Sequence, residues 1–492
     1  MSRVVVVGAG LAGLSAACHL VGRGHDVTVL EREAVPGGRA GRIERDGYAF
    51  DTGPTVLTMP HLFAQAFAAA GADMDSLLTL RRLDPAYRAV FDDGSVINVR
   101  AGREAMAAEI RVTSGPKDAA AFERFATWLT RLYAVEMPSF IGRNFDSFTD
   151  LARPPGPGLT LLRMGAFGRL GNLVARTFDD ERLHRLFTFQ AMYAGLAPAQ
   201  ALAVYAVITY MDTVEGVWYP EGGIHAVPTA LATAAEKAGA QLRYGVDVDR
   251  ILLGSGSTGP VRGVRLRGGE VVAADAVVCT PDLPVAYDRM LPGLTPPRAA
   301  RRGRFSPSAV VWHVGMRGQQ SPGDVAHHNI HFGNEWDRAF RALMRHGTLM
   351  PDPSILVSVP TVTQPSLAPQ DGSVLYVLEP VPNLDGRIDW VAERPRMRER
   401  LHRHITRLGY VGDIVVEELV DPLDWERQGM ARGTPFALAH TFGQTGPFRP
   451  ANTDRRAPGL VFAGSGTVPG VGVPMVLISG RLAADRVDEA PR

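Results

Sequence analysis

The first residues able to do chemistry are glycines. Gly8-Ala9-Gly10-Leu11-Ala12-Gly13 spaces three of them as GxGxxG, and Glu31 stands 21 residues beyond Gly10. Such a turn binds a pyrophosphate. Gly8 permits the tight bend, Gly10 brings backbone amides against the phosphates, and Gly13 lets a helix pack closely on a strand. The free amides and the dipole at the helix start supply the positive charge. An acid at Glu31 accepts hydrogen bonds from both hydroxyls of an adenosine ribose and disfavours a 2′-phosphate. The pattern predicts a dinucleotide site.

Further glycines narrow the choice of dinucleotide. Pro36-Gly37-Gly38-Arg39 exposes amides beside an arginine able to pair with a phosphate. Phe50-Asp51-Thr52-Gly53-Pro54-Thr55 adds another turn, and Ala463-Gly464-Ser465-Gly466-Thr467 adds one near the C-terminus. Amide-rich turns at both ends suit an extended dinucleotide with a ribityl chain and an isoalloxazine ring, that is, FAD. No second GxGxxG stands between a strand and a helix, and residues 254–259 lack that context. An NAD(P) site is therefore not expected, and reoxidation falls to oxygen or a quinone.

These residues need a scaffold. Residues 4–7 are a β-branched run typical of a strand buried on both faces, 11–23 an apolar helix, and 26–30 a second strand. Residues 59–79 read as a helix, and 87–99 as a hairpin turning at Asp93-Gly94. Residues 103–206 are mostly helical in pattern. Strands are expected at 241–244, 271–280, 305–316, 355–359, 373–378 and 460–463, with helices at 228–238, 390–408 and 474–486. The fold class is α/β. A discontinuous Rossmann-like FAD-binding domain (1–86, 216–290, 445–492) joins a mixed-sheet substrate domain (87–102, 291–444). A helical subdomain (103–215) holds a candidate membrane-contacting segment.

Composition excludes some classes. The 492 residues carry a net charge of +1, which gives no electrostatic case for nucleic acid. Cys18 and Cys279 stand in apolar segments without metal-ligand spacing and read as buried free thiols of a reducing compartment. The first strand begins too early to leave room for a signal peptide. No apolar run approaches the ~18 residues needed to span a bilayer. The expected location is cytoplasmic, with peripheral contact at the cell membrane. Residues 151–178 support that contact: Arg153, Arg163, Arg169 and Arg176 occur with no acid before Phe178, and Leu159, Leu162, Ala166, Leu170 and Leu173 share one helical face. A helix packed on the protein is the alternative.

At these residues the chain is similar to the flavin amine oxidase superfamily and, more narrowly, resembles the bacterial-type phytoene desaturases, nearly end to end. The resemblance is carried by the blocks already quoted, and by Gly216-Val217-Trp218-Tyr219-Pro220-Glu221-Gly222-Gly223, Ala326-His327-His328, Pro380-Val381-Pro382-Asn383-Leu384 and Phe448-Arg449-Pro450-Ala451-Asn452. It implies FAD contacts for Gly8, Gly10, Gly13, Glu31, Gly38, Arg39, Gly53, Val248, Gly464, Ser465, Gly466, Gly472 and Val473. It places Trp218, Pro220, Gly222 and His328 against a lipid-soluble carotenoid, with no metal. Asp150 and Arg153, at i and i+3, match an acid and an arginine proposed as catalytic in the family. The alternative for them is a surface ion pair. The implied activity is desaturation of phytoene towards lycopene, hydride passing to the flavin with loss of a proton. Desaturation of a hydroxylated or methoxylated carotenoid, carotenoid isomerisation and non-enzymatic isoprenoid binding are the alternatives.

Overall fold

The computed structural model describes residues 1–147, 149–150, 155–320 and 323–489. A five-stranded parallel sheet is ordered Leu460–Phe462, Ala276–Cys279, Arg3–Val7, Asp26–Leu30, Gln241–Arg243. It is thus fed by both ends of the chain and a middle piece. Val4 to Val7 in β1 (Arg3–Val7) are all buried, as a strand covered on both faces requires. Helix α1 (Leu11–Gly22) starts at Gly10, with no side-chain cap and no acid in its first turn, so its leading amides are left for an anion. The C-terminal helix (Val473–Glu489) lies against α1. A Cβ on Gly480 would come within 2.4 Å of the Ala12 carbonyl oxygen, and Ser15 Oγ donates to Leu477 O at 2.8 Å.

A seven-stranded sheet is ordered Val411–Val420, Ser308–Gln320, Gly372–Val381, Ile355–Ser358, His328–His331, Tyr87–Val90, Val96–Val99. Its pairing is antiparallel except between His328–His331 and Tyr87–Val90. Helix Trp390–Arg407 buries Met397, Leu401 and Ile405 in one core with Trp312 and Val314 of this sheet. Helices Arg103–Thr113, Pro116–Glu136, Pro155–Arg163, Leu170–Thr177 and Glu181–Leu186 form the third part. Phe122, Phe125, Phe178 and Phe187 meet at its centre with ring centroids 5.1 to 5.8 Å apart. Both cysteines are buried and free.

The strands Val411–Val420 and His328–His331 were not expected, and three expected elements differ. The helix expected over 59–79 ends at Ala69, because Gly71 turns left-handed (φ 72°) and Ala72 N closes back on Phe67 O at 3.0 Å. The strand expected over 271–280 is two. Val271–Ala273 pairs antiparallel with Thr258–Leu266, and Ala276–Cys279 enters the parallel sheet. Between them Asp275 is held by Arg3, at 2.8 Å to its amide and 2.9 Å to its guanidinium. The apolar stripe of 151–178 does not form one face. Gly165 (φ 72°) falls between two short helices; Leu161, Ala166, Leu170 and Val174 turn inward, and Leu159, Leu162 and Phe167 stay exposed.

Candidate active site

The two N-terminal glycine turns stack on each other. Gly10 bridges Gly37, with Gly37 N donating to Ala9 O at 2.9 Å, and a Cβ on Gly38 would lie 3.2 Å from Gly10 Cα. Gly8 (φ 101°) has no room for a side chain, since its Cβ would sit 2.4 Å from Thr280 Oγ1. The buried Glu31 carboxylate accepts from Ala9 N at 2.6 Å and from Glu33 N at 3.0 Å, which fixes it beside the turn. Gly53 abuts the next loop, where its Cβ would meet Arg39 O at 1.9 Å. Arg39 joins the two ends of the chain. It pairs with Asp282 at 2.7 Å and donates to Ser465 Oγ at 3.1 Å, in the C-terminal glycine turn. Its expected phosphate contact is thus preceded by an ion pair. Gly464 N in turn donates to Ser479 Oγ at 3.0 Å.

One cavity of about 2110 Å³ is lined by Gly8, Gly10, Glu31, Gly38, Arg39, Gly53, Val248, Gly464, Ser465, Gly472 and Val473. Gly13 and Gly466 stand behind that wall, Gly13 against the Gly8 carbonyl and Gly466 against Leu283. Bare turns that a Cβ would fill, an acid at the ribose position and amides at both ends fit a bound FAD. The cavity exceeds the usual ligand pocket of about 300–1,000 Å³. The rest of its wall is mainly apolar, including Phe189, Ile208, Met211, Phe332, Trp336 and Phe340. Leu159, Leu162, Phe167, Phe442 and Phe448 both line it and are exposed, so it opens to solvent there.

Among the ionisable groups in this wall that the sequence did not single out, three stand apart. Asp212 is buried and accepts from Tyr87 Oη at 2.6 Å; burial lifts its carboxyl to about 7 against the pull of that hydrogen bond. Glu136 is buried with Oε1 unpartnered, and burial holds its carboxyl well above the usual range. His440 is kept neutral by burial and then by Arg449, and its Nδ1 contacts Thr445 Oγ1 at 2.9 Å. Glu136 carries a periodic signal. It continues the buried face of Pro116–Glu136 set by Phe125, Leu129 and Leu132.

Other expected residues lie elsewhere. Trp218 and Pro220 belong to a short strand paired with Leu80–Arg82, and the Arg82 guanidinium lies 5.7 Å from the Trp218 ring. Gly222 borders a separate space of about 20 Å³, its amide donating to Gln364 Oε1 at 2.8 Å. His328 is locked between the carbonyls of Ala86 (3.2 Å) and Thr55 (3.1 Å). His327 contacts Thr363 Oγ1 at 2.7 Å and His331 contacts Tyr410 Oη at 3.1 Å. None of the four substrate candidates, Trp218, Pro220, Gly222 and His328, lines the large cavity. Asp150 is also outside that wall. Its carboxylate accepts from Asp146 N (2.8 Å) and Ser147 N (3.0 Å), which hold it below the usual range in a surface turn. Arg153 lies outside the described residues. Among the described residues no group of His, Cys, Asp and Glu is placed to hold a metal ion.

Comparison with known proteins agrees with this geometry. The model of the flavin containing amine oxidoreductase family matches residues 11–488. A phytoene dehydrogenase of Streptomyces griseus is 51% identical over 99% of this chain and 95% of its own. A zeta-carotene-forming phytoene desaturase of Myxococcus xanthus is 39% identical over 99% and 93%. In three dimensions an oxidoreductase from Methanosarcina mazei aligns with TM-score 0.62 at 17% identity, covering 99% of this chain and all of that one. The chain belongs to the flavin-containing amine oxidoreductase family, in its carotenoid desaturase branch, and its cofactor is FAD.

Proposed function

We propose that the protein desaturates phytoene, in successive removals of two hydrogens, towards lycopene. The observation that carries the reading is the single cavity that joins the dinucleotide turns to a long apolar wall. A hydrocarbon has no polar handle, so shape and burial must position it. FAD, when bound, accepts a hydride from an allylic carbon. The residues of this chain hold the dinucleotide at Gly8, Glu31, Gly38 and Gly464 and line a mainly apolar path for the polyene. Residues 254–259 form the turn of an antiparallel hairpin, and reoxidation by oxygen or a quinone completes the cycle in this reading. Incubating holoenzyme with phytoene in liposomes is expected to lower the product mass by two hydrogens per step and to shift its absorption to longer wavelength. A shifted spectrum at constant mass would mean isomerisation, and unchanged phytoene beside a yellow protein would mean binding alone.

The rim of the cavity supports a peripheral membrane contact on the cytoplasmic side. Leu159 (47% exposed), Leu162 (62%), Phe167 (43%) and Phe442 (64%) surround the opening, and Arg163, Arg169 and Arg176 stand exposed in the same segment. Apolar side chains among arginines favour an anionic bilayer, and lipid is where the substrate dissolves. Among the described residues no helix is long and apolar enough to cross a membrane. The wild type is expected to float with anionic liposomes. The triple variant Leu159→Ser, Leu162→Ser, Phe167→Ser should remain at the bottom with its FAD intact. Equal flotation of both would remove this contact.

A further inference from the structure

A cavity built for a hydrocarbon has no evident use for a carboxyl group, yet it keeps Asp212. Moving a carboxylate out of water costs several kcal/mol, which the single hydrogen bond from Tyr87 offsets only in part, so its retention in the wall calls for a use. The substrate class proposed above offers nothing to pair with it. The geometry points to Asp212 as the base that removes a proton from the polyene during each desaturation, with Tyr87 as its positioning residue. This rests on the desaturation reading and adds the group that completes it.

Three observations place Asp212 for the task. It is 2% exposed and lies in the cavity wall itself. Tyr87 Oη donates to Oδ2 at 2.6 Å, a bond that favours the ionised carboxylate and fixes its orientation. The strand carrying Tyr87 is tied to the cavity wall near the dinucleotide. Ala86 O and Thr55 O share His328, and the Thr55 turn begins at Gly53, which abuts the Arg39 loop. The titratable groups facing Asp212 are Tyr87 and Tyr193, with the Gln190 side chain beside the Tyr87 phenol. Both phenols are pushed up by burial and stay neutral, so neither competes for the proton. The other buried carboxyls in the wall are Glu31, fixed by the dinucleotide turn, Asp282, paired with Arg39, and Glu136. Glu136 has no partner at Oε1 and burial holds its carboxyl well above the usual range, whereas Asp212 has a donor that favours its ionised form.

The step balances without a further reagent. One allylic C–H bond breaks with its electron pair leaving as hydride to the oxidised cofactor. The C–H bond on the neighbouring carbon then breaks, and its electron pair becomes the new C=C bond. The proton goes to Asp212 Oδ1 or Oδ2 and forms a neutral carboxylic acid, which must be deprotonated before the next round. Before that transfer the carboxylate also stabilises the positive charge left on the polyene.

Asp212→Asn, Asp212→Glu and Tyr87→Phe, as holoenzymes beside wild type, test this. Asp212→Asn should keep its FAD absorbance and lose desaturation by roughly 100-fold or more, the usual weight of a general base. Asp212→Glu should recover part of that loss. Wild-type turnover should rise with pH through about 7, where burial places Asp212, and level off above it. Tyr87→Phe should move that limb to higher pH, because the hydrogen bond that favours the ionised form is gone. Infrared titration of the apoprotein gives a readout independent of turnover. A protonated-carboxyl band titrating near the same pH should be present in wild type, absent in Asp212→Asn and shifted upward in Tyr87→Phe. Wild-type turnover in Asp212→Asn, or a pH limb unmoved in Tyr87→Phe, would overturn the assignment. Wild-type holoenzyme inactive on phytoene would instead bring down the desaturation reading, and this role with it.

Discussion

Gly13→Val is expected to produce a folded but nearly colourless protein. A Cβ on Gly13 would sit 2.0 Å from the Gly8 carbonyl oxygen and 3.2 Å from Val6 Cγ1. The obstacle is backbone, so no rotamer change relieves it, and α1 must retreat from β1. That movement displaces the turn whose amides are left free at the cavity, while Gly13 itself does not line that cavity. Overpacking of this kind costs about 1–3 kcal/mol, so FAD affinity should fall by roughly 10- to 100-fold. Gly443→Ala is the control, since a Cβ there meets nothing within 4 Å. Retained flavin absorbance after gel filtration is the measurement. Full occupancy in Gly13→Val would mean that α1 yields without carrying the turn with it.

The glycine turns were legible because their constraint is local. The spacing Gly8, Gly10, Gly13 and the acid at Glu31 encode a strand, a bend and a helix within one short stretch, and the structure realises them with those same contacts. Asp212 has a different origin. It directly follows Met211 at the end of an apolar run, and only the arrival of Tyr87, 125 residues earlier, makes it a buried, hydrogen-bonded acid. A lone acid closing an apolar stretch was the available signal, and spacing alone does not separate it from a helix-end charge. The reverse holds for Asp150. Its catalytic role, like that of Arg153, was implied by the resemblance alone, and the structure gives its carboxylate two turn amides at the surface. The stripe in 151–178 divides at Gly165, where the backbone turns left-handed, so its period does not run on as one helical face. Periodicity identifies faces only within an unbroken helix.

The other large effect concerns a cation in the Phe448-Arg449-Pro450-Ala451-Asn452 block, to which the sequence assigned no role. Arg449 is 3% exposed, and burial lowers its guanidinium to about 10. It is held by four carbonyls: Thr467 O at 2.8 Å, Gln444 O at 3.3 Å, Leu438 O at 3.2 Å and Ser465 O at 2.5 Å. Two of these flank Gly466 in the C-terminal cofactor turn, and Leu438 and Gln444 flank His440. Arg449 thus clamps the turn that carries Ser465 to the segment that carries His440. Arg449→Met keeps much of the volume but removes every donor and strands the four carbonyls in a dry interior. Each unpaired buried acceptor costs about 1–3 kcal/mol, not additively, and breaking a buried charged network costs about 3–5 kcal/mol in total. The variant should therefore melt several degrees lower and lose FAD as well, because the turn is no longer fixed. Arg449→Lys should be intermediate, with three donors in place of a planar fork. Arg338→Met breaks an exposed pair with Glu335 and should change stability by less than about 1 kcal/mol. Melting the apo and holo forms separates the two contributions, since bound FAD adds its own stabilisation to the native state. If Arg449 acts as the clamp, the deficit persists in the apoprotein and widens in the holoprotein. An equal deficit in both forms would mean that it supports the fold alone.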